Sequence, residues 1–253
     1  MRVAVLADIH GNLPALEAVL AEVDAAGVDA VVINGDMTFG PMPAETLDRL
    51  AELGDRAVWV HGNCEREVLT ALGGSSDPDL PDQVRVGTEY TAAQLKDRHR
   101  KMITDLPLSV VLEVQGLGPV RFAHATTRDD AEMVLVDSPL QRFRECFDNT
   151  QEATVVLGHT HMPFDRLADR RRFVNPGSVG MAYGSDGALW ALLGPDVVLR
   201  RTRYDTEAAA ATLRRRAADY PGLDDFITGN LLTVPSDAEA LAFFSATAPH
   251  EGP

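Results

Sequence analysis

An α/β fold with parallel strands at its centre is predicted, and three observations predict it. Short apolar runs rich in valine recur at Val3–Ala7, Ala30–Ile33, Ala57–Val60 and Thr154–Leu157. Each has the length and continuity of a strand covered on both faces. A helix-period segment separates the first two runs, and a strand, helix, strand order this tight implies a parallel pair joined by a right-handed crossover. Each run also ends in a side chain able to bind a metal or move a proton, which is where open α/β sheets build their sites.

Taken in order, Val3–Ala7 runs into Asp8-Ile9-His10-Gly11-Asn12. Pro14 suits a first helical turn, Leu16, Val19, Leu20 and Val23 repeat at helical spacing, and Gly27 is a natural stop. The second strand ends in Asn34-Gly35-Asp36. Thr38–Pro43 reads as a loop, and Ala44–Leu53 as a helix with Leu47, Leu50 and Leu53 inward. The strand Ala57–Val60 is followed by His61-Gly62-Asn63-Cys64-Glu65.

Residues 73–82, rich in glycine, serine, aspartate and proline, are expected to form a mobile surface loop that can serve as a lid. Thr88–Thr104 reads as one polar helix, with His99 on its surface among Arg98, Arg100 and Lys101. Ser109–Val114 and Val120–Ala123 form a hairpin around Gly116 and Gly118, and its second strand ends at His124. Leu140–Phe147 is a helix with Cys146 packed inside. The strand from Thr154 is broken by Gly158, and His159-Thr160-His161 follows. If that segment is extended, residues at i and i+2 point to one side, so both imidazoles can leave the strand end together. Taken alone, the pair is read more simply as two surface histidines.

Arg170-Arg171-Arg172 suits a solvated hairpin or strand edge, and Asn175-Pro176-Gly177-Ser178 is a tight turn. Ala188–Leu193 and Val197–Tyr204 pair to close a sheet, and Glu207–Ala218 is an Ala/Arg-rich helix. In the tail, Phe226, Leu231, Leu232, Phe243 and Phe244 are expected to pack as a C-terminal cap. No linker forces a division, so residues 1–253 are read as a single domain with 205–253 as a helical extension packed on it.

Acidic residues outnumber basic ones 38 to 23, a net charge of −15 that repels a phosphate backbone and argues against a nucleic-acid partner. Two cysteines, Cys64 and Cys146, make no disulfide framework, and the N-terminal run is too short for a signal peptide. A cytoplasmic protein with no membrane association is expected. Its oligomeric state, homo-oligomer or monomer, is left open.

The candidate ligands are Asp8, His10, Asp36, Asn63, His124, His159 and His161, all just beyond expected strands. Seven ligands exceed one tetrahedral site and suit two ions sharing a carboxylate. Mixed carboxylates and imidazoles fit Mn²⁺, Fe, Zn²⁺, Co²⁺ or Ni²⁺ and fit Ca²⁺ poorly. Two cations roughly 3.5–4 Å apart can hold a hydroxide and clamp a phosphoryl oxygen. There is no Walker loop and no Gly-x-Ser-x-Gly elbow to carry the rival chemistries.

Asp8-Ile9-His10, Gly35-Asp36, Gly62-Asn63, His124 and Gly158-His159-Thr160-His161 resemble, in order, the five blocks of the calcineurin-like metallophosphoesterases. The detail of Gly40-Pro41-Met42-Pro43 and of Asn175-Pro176-Gly177-Ser178 is most similar to the small phosphodiesterases of the YfcE type. The resemblance implies a four-layer αββα sandwich of two mixed β-sheets flanked by helices. It implies two divalent metal ions, Mn²⁺ foremost, with Asp8, His10 and His161 on one, Asn63, His124 and His159 on the other, and Asp36 bridging. It implies hydrolysis of a small phosphodiester or nucleotide by a hydroxide between the ions, with Asn63 orienting the phosphate.

Many members of the family carry histidine where this chain has Cys64, and Ala125 stands where glycine is common. A thiol is a poor acid for an alkoxide leaving group, so Cys64 sits at a catalytic position without being the nucleophile, and monoesters with poor leaving groups are disfavoured. The alternatives are a phosphomonoesterase or protein phosphatase using the same centre, and a non-catalytic scaffold of the same fold.

Overall fold

The structure is a computed structural model, and it describes residues 1–75, 78 and 80–247. Two five-stranded sheets face each other. The strands and helices of the first half are β1 (Val3–Leu6), α1 (Leu13–Ala26), β2 (Ala30–Asn34), α2 (Pro43–Ala51), β3 (Ala57–Val60), α3 (Asn63–Leu72), α4 (Asp82–Gln94) and α5 (Asp97–Ile103). They continue as β4 (Ser109–Val114), β5 (Gly118–Ala123), α6 (Leu140–Cys146), β6 (Thr154–Val156), β7 (Phe164–Ala168), β8 (Arg171–Asn175), β9 (Ala188–Leu193) and β10 (Val197–Thr202). Three helices end the chain, α7 (Thr206–Arg216), α8 (Leu223–Ile227) and α9 (Asp237–Thr247).

The first sheet has the order β10-β9-β1-β2-β3 and the second β4-β5-β6-β8-β7. β1, β2 and β3 are parallel, in the register Val3↔Ala30 and Val31↔Ala57, while β9 runs antiparallel to β1. The inner faces meet through Val3, Val5, Val32, Val120, Phe122 and Val174, an apolar layer that removes both sheets from water. α1 and α2 cover the outer face of the first sheet with Leu16, Val19, Leu20, Leu47 and Leu50. α6 covers that of the second with Phe143 and Phe147 against Phe173. The four-layer αββα architecture follows directly. It brings the carboxyl ends of β1, β2, β5 and β6 to one rim.

Some expectations are corrected. The single helix expected over 88–104 is two, because Leu95 leaves α4 in an extended conformation and buries in the helix-side core. His99, expected on the surface, is fully buried. Its Nε2 lies 2.9 Å from Asp48 Oδ1, and its Nδ1 accepts from the Lys96 N–H. Cationic sequence neighbours misled here, since adjacent helical residues point about 100° apart. In the tail, Phe226, Leu231 and Phe244 are buried, but Leu232 is 40% and Phe243 61% exposed. The expected lid over 73–82 falls partly on residues 76, 77 and 79, outside those described. β7 is a strand the pattern had not singled out, and Asp169-Arg170 turns it into β8, which places the arginine run at a hairpin.

α7 lays Ala209, Ala210 and Leu213 on a cluster with Met42, Tyr220 and Phe226. α9 packs Ala240 and Phe244 on Leu135 and Met162. No helix among the described residues is long and apolar enough to cross a membrane.

Candidate metal centre

Apolar strands β1, β2, β5 and β6 are pinned by the core, and each releases its polar residue where pairing stops. The chain turns sharply there. Asp8, His10, Asp36, His159 and His161 all have φ between 49° and 66°. Left-handed backbone is uncommon outside glycine and costs of order 1–3 kcal/mol per residue where it is strained, so its concentration at one rim marks a functional site. His159 and His161 therefore do not alternate as extended residues would. Two left-handed turns aim them into different halves of the centre.

In one half, His10 Nε2 lies 3.0 Å from His161 Nε2, and His161 Nε2 lies 3.3 Å from Asp8 Oδ1. In the other, His124 and His159 rings pack at 5.2 Å between centroids, and His124 Nε2 lies 3.3 Å from Asn63 Oδ1. The Asp36 carboxylate spans the two: Oδ1 is 3.4 Å from His124 Nε2 and Oδ2 is 3.9 Å from His10 Nε2. Ligand atoms of Asp8, His10 and His161, and separately of Asp36, His124 and His159, lie within 4.8 Å of one another. A third such group joins His10 and Asp36 to Cys64.

The tautomers favour cation binding. His161 Nδ1 donates to the Met181 carbonyl and His124 Nδ1 to that of Asn34, which turns each Nε2 inward. His159 donates from Nε2 to the Ala131 carbonyl, so its Nδ1 faces inward instead. Ring nitrogens converging with two carboxylates in a buried cleft repel unless a positive charge lies among them. The donor set fits divalent cations.

Burial, with the neighbouring imidazole second, holds His10 and His159 down to about 4, so both are neutral ligands at pH 7. For His124 burial also opposes charge, yet the Asp36 charge and hydrogen bond outweigh it and push the ring up to about 10. Burial would raise Asp36, but the His124 charge and hydrogen bond hold it well below the usual carboxylate range. That proton on His124 occupies the place a cation would compete for.

Cys64 is 6% exposed, with its N–H on Asp36 Oδ1 at 2.9 Å and its thiol on Oδ2 at 3.1 Å. Burial first, and the Asp36 charge second, push the thiol well above its ordinary pKa. It is thus a neutral hydrogen-bond donor to the bridging carboxylate, the opposite of an activated nucleophile.

All eight residues singled out from the sequence gather at this rim. Three supports did not stand out. Glu65, fully buried, takes the N–H groups of Asp36, Met37, Thr38 and Gly62 together with the Thr38 hydroxyl. Burial and the Asp36 charge push its pKa up, to about 7, against the pull of those donors. Asn175 donates to Gly158 O and Thr160 Oγ1, and Ser178 Oγ donates to Asp8 O, so the Asn-Pro-Gly-Ser turn ties two ligand loops together. Tyr183 stacks on His161 at 5.4 Å. The turn was visible as a turn, and Glu65 stood beside Cys64. Tyr183 carries no local pattern.

The chain is similar to known proteins in both sequence and fold. The phosphodiesterase YfcE of Escherichia coli (strain K12) is 27% identical over 210 residues, covering 78% of this chain and 90% of the relative. Among solved structures, a metallophosphoesterase from Sphaerobacter thermophilus superposes with a TM-score of 0.71 at 26% identity, over 90% of this chain and 98% of its own. A hypothetical protein from Pyrococcus horikoshii OT3 shares the fold at TM-score 0.78 and 19% identity, over 92% and 99%. The calcineurin-like phosphoesterase superfamily domain matches residues 1–195, which contain both sheets but for the outermost strand and every ligand candidate, and the chain belongs to that superfamily.

Proposed function

We propose that the chain is a binuclear-metal phosphodiesterase acting on small diesters. The observation that carries this reading is the Asp36 carboxylate, with one oxygen turned to the His124 half and the other to the His10 half. Asp8, His10 and His161 would hold one divalent cation and Asn63, His124 and His159 the other, with Asp36 shared. A cation pair supplies acidified water and charge neutralisation at phosphorus. The family supports phosphoester hydrolysis, and YfcE, named a phosphodiesterase, supports the diester.

The chain's own residues do the rest. The Asn63 amide donates to Glu67 Oε1 at 3.1 Å, which fixes its oxygen toward the centre. Glu65 and Cys64 hold Asp36. The neutral thiol, where many relatives have histidine, offers little as a proton donor to a departing alkoxide, so substrates whose leaving group needs no proton are favoured. The net charge of −15 favours small substrates over nucleic-acid chains.

The test is turnover of bis-p-nitrophenyl phosphate against p-nitrophenyl phosphate across Mn²⁺, Zn²⁺, Co²⁺ and Ni²⁺, with Asp36→Asn as control. Diester preference and loss of most turnover in Asp36→Asn are expected. Clear preference for the monoester would overturn the substrate reading, and full turnover by Asp36→Asn would overturn the shared carboxylate.

A further inference from the structure

A cavity of about 500 Å³ lies beside the candidate centre, between Phe39, α4 and the turn and helix at residues 220–230. It has the size of a small-molecule site. Two of its lining residues also border the centre. The Phe39 ring meets the His10 ring edge-on at 5.9 Å, and Met181 gives its carbonyl to His161 Nδ1. Phe39 and Met181 thus link the cavity to the His10–His161 half of the centre.

The wall is built. Gly87 lies inside α4, where glycine costs roughly 1 kcal/mol against alanine. A Cβ there would lie 2.8 Å from the Phe39 ring. Gly40, beside Phe39, lies so close to the His10 carbonyl that a Cβ would overlap it. Glycines on both sides thus let the ring pack between His10 and α4. On the far side, Tyr220 and Phe226 pack edge to face at 6.0 Å. These residues, and Asn230 with them, lie beyond the stretch matched by the superfamily domain.

The polar groups around the cavity include both acceptors and donors, the Gln83 amide among the latter. Asp82 and Asp225 line the cavity, Asp82 already paired with Arg85 at 2.9 Å, and the Asn230 amide spends a donor on Phe226 O, which leaves its oxygen as an acceptor. Amide and carboxylate groups together suit the mixed N–H and ring-nitrogen edge of a base, and the Asp225 charge opposes a second phosphate. Aromatic and apolar walls attract a flat ring.

We infer that this cavity is the subsite for one organic arm of the diester, an uncharged aromatic ring of nucleobase size bearing N–H donors. It follows that residues 220–230 make the centre selective for nucleoside phosphodiesters and against polyphosphate chains. The inference rests on the metal-centre reading above.

The experiment is calorimetric titration of the Mn²⁺-loaded protein with methyl phosphate, adenosine 5′-monophosphate and adenosine 5′-diphosphate. The first two present the same phosphate to the metals and differ in the arm. Adenosine 5′-monophosphate is expected to bind at least ten-fold more tightly than methyl phosphate and more tightly than the diphosphate. Val86→Trp fills the cavity from a side chain that is 38% exposed, so folding tolerates it, and should reduce the first ratio to near one. Equal affinities in the wild type, or a ratio unmoved by Val86→Trp, overturn the subsite. Failure of both methyl phosphate and adenosine 5′-monophosphate to bind is a different result: it removes the metal-centre reading, and the subsite with it.

Discussion

The buried Glu65 carboxylate accepts the backbone N–H of Asp36 at 2.9 Å, and all its other partners are donors too. One oxygen serves Asp36 and Gly62, the other Met37 and Thr38. Glu65→Gln is therefore expected to fail in either amide orientation, because an NH₂ group would face two backbone N–H groups. An unsatisfied buried pair costs about 1–3 kcal/mol, so the melting temperature should fall. The displaced Asp36 should lower kcat about ten-fold or more with little change in KM, as a lost transition-state interaction does. A variant with wild-type melting and wild-type kcat would show that Glu65 does not position Asp36.

His159 and His161 are one residue apart but belong to different halves, His159 beside His124 and His161 beside His10. Replacing either with alanine should reduce bound metal from two ions towards one per chain, measured by elemental analysis after dialysis. The surviving sites should differ. In His159→Ala the surviving site is Asp8, His10, Asp36 and His161, with one amide-free donor set. In His161→Ala it keeps Asp36, Asn63, His124 and His159. Cobalt absorption spectra of the two variants should differ accordingly, and identical spectra would mean that the histidines share one ion.

Most of the fold, and the gathering of the candidate ligands at one rim, were legible because the signals were local. Val3–Leu6, Ala30–Asn34 and Thr154–Val156 are continuous apolar runs, and their polar terminators sit next to them in sequence. What was not legible depended on distant partners. His99 is buried because Asp48, on another helix, receives it. The left-handed turns at His159 and His161 follow from the way Asp8 Oδ1 takes the His159 N–H and Asn175 takes the Gly158 carbonyl. Tyr183 meets His161 across a separation in sequence, with Phe244 of α9 packed against its other side. Short-range periodicity reports which face is buried; it does not report what waits on the other side.

Asp48 joins α2 to α5 through Arg98, bound at 3.0 and 2.7 Å, and through buried His99. The Arg98 hydrogen bonds lead in holding its pKa down to about 2, from an ordinary 3.8. A depressed carboxylate stabilises the fold fully above its unfolded value and loses that contribution as pH falls through its folded value. The melting difference between wild type and Asp48→Asn should be constant near neutral pH, then shrink between about 4 and about 2. Asp48 is 45% exposed, so the difference should also fall with added salt. A difference that grows on acidification would contradict this assignment.

Phe244 on α9 meets Tyr183 edge to face at 5.9 Å, and Tyr183 in turn stacks on His161. The C-terminal helix thus braces a candidate ligand from outside the two sheets. Phe244 is 7% exposed, so Phe244→Ala removes a buried ring at a cost of roughly 3 kcal/mol. Because few other buried side chains hold α9, the loss should appear as local opening before global unfolding. Hydrogen exchange should quicken over residues 237–247 while β1 and β2 stay protected. Affinity for the ion at His161 should weaken as the ring gains freedom, and the ion at His124 should be unaffected. Equal weakening of both ions would place the effect in general stability, and no change in either would show that His161 is held by Met181 alone.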